Sequence, residues 1–317
     1  MSRSEFGVYV HIPVCASKCE YCAVATWTAR GHLVDAYLRA LRAEIERAIG
    51  DGLPIADTVF VGGGTPTLVS PDALAGVIDA IPVRLDAEIT VECNPDDVTV
   101  EMLRTYRSAG VNRVSLGVQS MSAHVLAALG RTHDRANVAR AVEAIAASAV
   151  PTFNLDLIYG AAGETIDDWR RTVEAVLAFD PPHVSAYALT VEAGTPLAGQ
   201  PDRHPDDDDQ ADKYELVDDL LGAAGLQNYE VSNWSRPGHE SRHNHLYWSQ
   251  ADYRGFGCAA HSHAAGRRWW NVRTPDRYIE SIRSGAAVEA ASESLDADTR
   301  RFEALQLALR TRNGVPR

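Results

Sequence analysis

The sequence predicts an α/β fold in which six strand–helix units follow one another up to about residue 195. Short runs rich in β-branched residues alternate with longer runs that have the 3.6-residue period of helices. Because parallel neighbours cannot be joined by tight turns, this alternation indicates parallel strands linked by helical crossovers. The chain has 317 residues, 45% of them hydrophobic, so it can bury a full core without disulfides.

The elements follow in a regular order along the chain. Strands are predicted over residues 7–12, 58–61, 88–92, 113–116, 152–158 and 183–189. Helices are predicted over residues 32–49, from about residue 70, and over 100–109, 135–147 and 164–179. Pro71 suits the first turn of the second helix, and Gly110 suits the end of the third, because proline favours helix starts and glycine favours helix ends.

The regular alternation of predicted strands and helices ends at about residue 196. The four aspartates at 206–209 predict the start of a helix that runs to about residue 224, because negative charge is favourable at a helix N-terminus. A region rich in aromatic residues and histidine follows over 229–270. We therefore predict a core domain of residues 1–195 and an α+β extension of residues 196–295.

Polar or small residues stand at the carboxyl end of every predicted strand. In chain order these are the cysteines at 15, 19 and 22, residues 62–65, Glu92, Gln119, Asp156 and Tyr187. A barrel and an open doubly wound sheet both bind ligands at this end of their strands. Contributions from all six strands favour a barrel, complete or partial, that curves around one cofactor.

Charge and hydropathy exclude several classes of protein. Thirty basic against forty-three acidic residues give a net charge of −13, which argues against a nucleic-acid-binding protein. No run approaches the roughly 20 apolar residues of a membrane span, and the N-terminus lacks a signal-peptide core. We expect a cytoplasmic protein and leave peripheral association with a membrane open.

Three of the five cysteines, Cys15, Cys19 and Cys22, fall in one octet with the spacing C-x3-C-x2-C. In a reducing compartment such clustering favours a metal over a disulfide. A structural zinc usually takes four protein ligands, whereas a [4Fe–4S] cluster can be held by three cysteines that leave one iron open. Thiolates suit both metals, so a zinc-stabilised barrel stays open on ligand type alone.

The chain resembles the radical S-adenosylmethionine superfamily at this cysteine segment. It shares the cysteine spacing, an aromatic residue before the third cysteine and the position of the segment after the first strand. The chain also resembles the branch related to coproporphyrinogen dehydrogenases and, within it, the HemW family of heme chaperones. The segments that carry this resemblance are residues 9–15, 62–67, 91–95, 115–119, 156–160 and 243–248.

The resemblance implies a partial (β/α)6 barrel of the radical S-adenosylmethionine type, similar to a TIM barrel. It also implies that Cys15, Cys19 and Cys22 hold a [4Fe–4S] cluster whose open iron is chelated by the methionine moiety of S-adenosylmethionine. The residues implied to contact that cofactor are Gly63, Gly64 and Thr65 at its methionine end, Glu92, Gln119, Arg131 and Asp156 at its ribose and carboxylate, Tyr9 and Tyr21 nearby, and Ala188 beside the adenine. Because residues 62–64 have no side chains, we expect their backbone to lie against the ligand and either donate N–H groups to its carboxylate or bind its amino group. Taken alone, the glycine run could equally be a tight turn, and Arg131 could be a surface ion pair.

The last segment, residues 243–248, has the H-N-x-x-Y-W pattern that the HemW family associates with heme. The resemblance implies that His243 ligates heme iron, that Asn244 steadies the loop, and that Tyr247 and Trp248 line the porphyrin face. His261 and His263 are candidates for a second contact. Without the family, His243 would be interpreted as a core residue.

A heme chaperone is the predicted function, with heme, apo-hemoprotein clients such as respiratory proteins and an electron donor for the cluster as partners. No catalytic residue is assigned. The alternative is a radical enzyme that generates a 5′-deoxyadenosyl radical, similar to the oxygen-independent coproporphyrinogen III dehydrogenase or to a related methylase. Those dehydrogenases have a further cysteine two places after the third, where this chain has Val24, which weakens the alternative. The residues at 302–310 resemble the start of the helical C-terminal domain of family members, so we expect residues 296–317 to be the first part of a truncated domain.

Overall fold

The computed structural model describes residues 5–28 and 31–315, and its α/β architecture confirms the predicted fold class. Six parallel strands form the centre. They are β1 (Phe6–Ile12), β2 (Ala56–Gly63), β3 (Val83–Cys93), β4 (Arg113–Gln119), β5 (Thr152–Tyr159) and β6 (His183–Ala188).

Helices connect these strands as crossovers. They are α1 (Val34–Gly50), α2 (Pro71–Ile78), α3 (Val100–Ser108), α4 (Ala123–Ala128), α5 (Arg135–Ser148) and α6 (Ile166–Leu177). Two helices begin with reciprocal capping boxes, at Asp134 for α5 and Thr165 for α6, which satisfy backbone N–H groups that the first helical turn leaves unpaired. The short α4 is absent from the predicted elements, because six residues are too few to show a helical period.

Further elements follow after residue 195, of which the last, α10, lies in the predicted C-terminal part of residues 296–317. They are α7 (Asp207–Ala223), β7 (Gln227–Glu230), β8 (Asn233–Ser235), α8 (Arg242–Trp248), β9 (Asp252–Phe256), β10 (His261–Ala264), β11 (Arg267–Asn271), α9 (Pro275–Ser284), β12 (Glu289–Ser294) and α10 (Ala297–Ala308). The predicted acidic helix start is confirmed, since Asp206 caps α7 by accepting a hydrogen bond from the Asp209 backbone N–H at 2.9 Å.

Strand order decides between a barrel and a doubly wound sheet. Strands β1 to β6 lie side by side in sequence order and pair in parallel. A doubly wound sheet would reverse its strand order at a switch point, and this run contains no reversal. In the described residues β1 and β6 pair with β9 and β8 rather than with each other, so the barrel is partial.

The extension therefore continues the same sheet at both edges. Strands β8 and β7 follow β6, while β9, β10, β11 and β12 follow β1. The core lies between the strands and their helices, with valines such as Val8, Val59 and Val91 fully buried. Among the described helices, none has the length and hydropathy needed to span a bilayer.

Candidate functional site

A cavity of about 620 Å³ opens at the carboxyl ends of the central strands. The structure brings most of the predicted cofactor residues into its wall. Those that line it are Cys15, Cys19, Tyr21, Cys22, Gly63, Gly64, Thr65, Glu92, Gln119, Arg131 and Asp156. Residues from loops that are far apart in the sequence meet here because parallel strands end at the same edge of the sheet.

The cysteine loop leaves β1 and returns to it. The Trp27 N–H donates to the Pro13 carbonyl at 2.8 Å, and the Cys15 N–H donates to the Trp27 carbonyl at 3.3 Å. A further turn forms where the Cys22 N–H donates to the Cys19 carbonyl at 3.2 Å. All three thiols are free and partly buried. The backbone therefore holds three soft donors on one wall of the cavity.

Two donors from other loops, one just after β2 and one between α4 and α5, point at these sulfurs. The Thr65 hydroxyl donates to Cys15 Sγ at 3.7 Å, and Arg131 Nη1 donates to Cys19 Sγ at 3.8 Å. Burial raises the pKa of the Cys15 and Cys22 thiols. Such donors favour the thiolate form and tune iron–sulfur clusters.

Arg131 belongs to the cavity wall and not to a surface ion pair. Its Nη2 donates to Asn94 Oδ1 at 3.0 Å and to the Gly117 carbonyl at 3.1 Å. Because these bonds fix the guanidinium beside Cys19, its position fits a role at the cofactor site.

The donor set fits a cluster. A structural zinc site usually gathers four protein ligands around one ion, and this loop supplies three cysteines. In a cubane cluster each cysteine binds a different iron atom, so the thiols need not converge on one point. Three cysteines on one loop, with hydrogen-bond donors to two of them, are the groups that such a cluster requires.

The glycine run was predicted either to donate N–H groups to a ligand carboxylate or to bind a ligand amino group, and its hydrogen bonds disfavour the first alternative. The Gly63 N–H donates to Glu92 Oε2 at 3.1 Å, and the N–H groups of Gly64 and Thr65 donate to the carbonyls of Ile12 and Val14 at 2.8 and 2.7 Å. All three donors are thus occupied within the protein. The loop can offer a ligand carbonyl acceptors, which suit an amino group.

Close packing against β1 explains why glycine stands at position 63. Its φ is +107°, and an added Cβ would lie 2.3 Å from Nδ1 of His11. Only glycine adopts this conformation without strain. The missing side chain therefore makes room for a histidine of β1, where the prediction expected room for a ligand.

Two acidic side chains, Glu92 and Asp156, form the inner wall. Burial, followed by the charge of Asp156, raises the pKa of Glu92 to about 7. Burial also raises the pKa of Asp156, although that carboxylate accepts hydrogen bonds at 2.7 Å from both the Ser115 hydroxyl and Asn154 Nδ2. A cationic ligand in the cavity would stabilise both carboxylates, because opposite charge favours the ionised form.

Further residues line this cavity without having been predicted as cofactor contacts. They include Asn94, Ser115 and Gly117. Their positions inside the segments 91–95 and 115–119 are the signal that could have found them. Gln119 ends β4 with a φ of +63°, a strained conformation for a non-glycine residue and one that often marks binding sites.

Tyr9 and Ala188 are placed apart from this cavity wall. The Tyr9 hydroxyl hydrogen-bonds to His11 Nδ1 at 2.9 Å, and the side chain faces a second cavity described below. Ala188 is exposed at the end of β6.

The His243 side chain lies on α8 and is fully buried. Its Nδ1 hydrogen-bonds to the Thr58 hydroxyl at 2.7 Å and its Nε2 to the Tyr247 hydroxyl at 2.9 Å. Its backbone N–H donates to Glu88 Oε1 at 3.0 Å, and its ring stacks on Phe60 with centroids 5.3 Å apart. Both ring nitrogens are therefore engaged in this conformation.

The rest of this segment surrounds His243 on α8. The Asn244 backbone N–H donates to the Ser241 hydroxyl, which caps the helix at 3.3 Å. Tyr247 is 36% exposed, and the guanidinium of Arg310 lies 5.9 Å from the Trp248 ring centroid. Trp248 Nε1 is buried and has no hydrogen-bond partner among the described residues.

A second cavity of about 410 Å³ lies between α8 and the end of the cysteine loop. It is lined by Tyr9, His11, Ala23, Val24, Ala25, Tyr247, Tyr253, Ala259, His261 and Arg273. Val24 also lines the first cavity. The two cavities are therefore neighbours that share Val24, two residues after Cys22.

Comparisons with known proteins agree with this arrangement. The profile of the Radical SAM superfamily matches residues 9–176. The chain is 44% identical to a protein of Mycobacterium tuberculosis named heme chaperone HemW, over all of this chain and 84% of that protein. It is 37% identical to the protein of that name from Escherichia coli, over 96% of this chain and 84% of that protein.

A solved structure shows the same fold. The E. coli coproporphyrinogen III oxidase HemN, described as a radical SAM enzyme, superposes with a TM-score of 0.86 at 22% identity. The match covers 97% of this chain and 76% of that one.

Proposed function

The chain belongs to the radical SAM superfamily and, within it, to the HemW family, and on that premise we propose that it is a heme chaperone. In this proposal it binds a [4Fe–4S] cluster, S-adenosylmethionine and heme, and it transfers heme to apo-hemoproteins. Cys15, Cys19 and Cys22 hold the cluster. The 620 Å³ cavity receives S-adenosylmethionine.

The observation that carries the proposal is the cysteine loop with its two outside donors. Thr65, just after β2, and Arg131, in the loop between α4 and α5, approach the sulfurs of Cys15 and Cys19, an arrangement that a disulfide or a buried packing cysteine does not require. When bound, the cluster supplies an iron with an open coordination position, at which this superfamily chelates S-adenosylmethionine. Binding and orienting S-adenosylmethionine are the tasks of the protein's own side chains and backbone carbonyls.

Residues in the wall of the 620 Å³ cavity bind and orient S-adenosylmethionine. The carbonyl oxygens of Gly63 and Gly64 suit its amino group, while Glu92 and Asp156 supply acceptors and negative charge. Gln119 and Arg131 add an amide and a fixed cation, and Tyr21 lines the same wall. Tyr9 and Ala188 remain proposed contacts that lie at the edges of this arrangement.

Heme is assigned to the segment at residues 243–248. We propose His243 as an iron ligand, and Tyr247 and Trp248 as walls for the porphyrin face. The predicted loop around Asn244 is the first turn of helix α8, so we propose that Asn244 steadies this turn. Both ring nitrogens of His243 are hydrogen-bonded. To ligate iron, the imidazole must therefore break its hydrogen bond to the hydroxyl of either Thr58 or Tyr247. This requirement suits a chaperone, since heme held at the expense of internal bonds is more easily passed on.

The proposed partners are heme, apo-hemoprotein clients and an electron donor for the cluster. We propose that the protein acts in the cytoplasm. The five free cysteines support this location, because a reducing compartment keeps thiols unpaired.

The test measures iron, sulfide and heme in anaerobically reconstituted protein. We expect about four iron and four sulfide atoms per chain and a Soret shift on addition of hemin. Cys15→Ala, Cys19→Ala and Cys22→Ala should each lose iron, whereas the matched variant Cys258→Ala, which changes a buried cysteine that does not line this cavity, should retain it. Unchanged iron in all three loop variants, or a parent protein that leaves the hemin spectrum unaltered, would overturn the proposal.

A further inference from the structure

The second cavity combines features that suit a flat, anionic macrocycle. Its volume of about 410 Å³ falls in the range of roughly 300–1,000 Å³ for small-molecule sites. Tyr247 and Tyr253 meet edge to face on its wall, with centroids 4.9 Å apart at 85°. Aromatic walls of this kind offer large apolar contact area at little entropic cost.

Histidine hydrogen bonding identifies which imidazole in this region is free. His11 bonds to Tyr9 and to the Ala25 carbonyl through its two ring nitrogens. His263 likewise bonds to the Ala251 carbonyl and accepts from the Gly266 N–H.

His243 is engaged in the same way, as described above. An iron ligand would have to break one of these bonds at each of the three histidines. None of the three is therefore poised to ligate iron in the conformation described.

His261 differs from all three. Its side chain is exposed on β10 and lines the cavity, and neither ring nitrogen has a hydrogen-bond partner among the described residues. The ring is still oriented, because it stacks on Trp270 with centroids 5.5 Å apart and planes 26° apart. Stacking fixes the ring plane and leaves both nitrogens available, so that either one can bind a metal.

A cation stands on the same wall. Arg273 lines the cavity and is exposed, and within the described residues its guanidinium has no carboxylate partner. Arg267 and Arg268, by contrast, pair with Glu289 and Glu303. An unpaired guanidinium is suited to a forked contact with a carboxylate of a ligand.

We propose that heme occupies this second cavity, with His261 rather than His243 as the axial ligand of the iron in this conformation and Arg273 as the partner of a propionate. This inference rests on the proposed heme chaperone function and names the site within it. The cavity opens to solvent and shares Val24 with the cluster cavity. Heme bound there lies beside the cysteine loop and stays accessible to a client protein.

The test is a hemin titration of the anaerobically reconstituted full chain, followed by the Soret band and by ferric electron paramagnetic resonance. His261→Ala should abolish the parent Soret shift and weaken binding tenfold or more, and added imidazole should restore the shift. His261→Met should retain binding with a displaced Soret band, since a thioether replaces the imidazole. Iron content and circular dichroism equal to the parent's establish that each variant is folded.

Arg273→Gln tests the ion pair between Arg273 and a heme propionate separately from the ligation of the iron by His261. It should weaken hemin binding about threefold to fivefold, as expected for a partly exposed ion pair, and leave the Soret position unchanged. His124→Ala, which removes an exposed histidine on α4 outside both cavities, is the matched control and should bind hemin as the parent does.

The outcomes distinguish this inference from the proposed function. A parent protein that binds hemin, together with His261→Ala of equal affinity and identical Soret band, overturns the His261 site and leaves heme binding standing. A parent protein that does not bind hemin overturns both.

Discussion

Replacing Glu92 by glutamine tests how the inner wall of the cofactor cavity is built. The carboxyl group accepts a hydrogen bond from the Gly63 N–H and lies near Asp156. Burial and then the charge of Asp156 raise its pKa from 4.5 to about 7. Glutamine has nearly the same shape and keeps an acceptor oxygen, so Glu92→Gln removes the charge and little else.

The sign of the effect follows from this raised pKa. The folded protein binds the Glu92 proton more tightly than the unfolded chain does. The contribution of Glu92 to the free energy of unfolding is therefore most favourable below about pH 4.5, and it is lost as the pH rises to about 7. One pKa unit corresponds to about 1.36 kcal/mol, so the shift in the pKa of Glu92 corresponds to a change of about 3 kcal/mol in the free energy of unfolding. Because the side chain borders an open cavity, solvent screening reduces this value to about 2 kcal/mol.

The measurement is urea unfolding without S-adenosylmethionine at about pH 5 and about pH 8. The stability of Glu92→Gln relative to the parent should rise by about 2 kcal/mol between the two conditions. Glu143→Gln, an exposed change on α5, should stay within about 0.5 kcal/mol of the parent at both. A relative stability of Glu92→Gln that is independent of pH, or that falls with rising pH, would refute the reasoning.

Two further predictions concern the frame around the site. Gly63→Ala places a Cβ 2.3 Å from His11 at a φ of +107° and should lower the unfolding free energy by about 1–3 kcal/mol. Gly222→Ala, where nothing lies within 4 Å of the added carbon, should stabilise α7 by roughly 0.5–1 kcal/mol. Equal urea midpoints for these two variants would contradict the packing argument. Lys213→Met leaves Glu164 without the ammonium that lies 3.3 Å away in the buried interior and should reduce stability by about 3–5 kcal/mol. Because burial raises the pKa of Glu164, this loss should shrink at acid pH, where the carboxyl is neutral, and a loss that grows on acidification would refute the assignment.

The sequence alone predicted the parts of this protein that depend on neighbours along the chain. Hydrophobic period predicted the six core strands and most crossover helices, since each period is set by residues a few positions apart. The spacing of Cys15, Cys19 and Cys22 predicted a metal-binding loop for the same reason. The common position of polar residues at strand ends predicted that Glu92 and Asp156 share a cavity.

The tertiary structure decided what depends on contacts between distant residues. Strand β9 pairs with β1 across more than two hundred residues, and no local pattern indicates this partner. The hydrogen bond of His243 to Thr58 spans 185 positions, so its burial and the freedom of His261 became visible only in the folded chain. The N–H groups of Gly63 and Gly64 were predicted to serve a ligand, but Glu92 and β1 accept them. Backbone donors and acceptors pair wherever the fold brings them together, and a sequence does not record which pairs form.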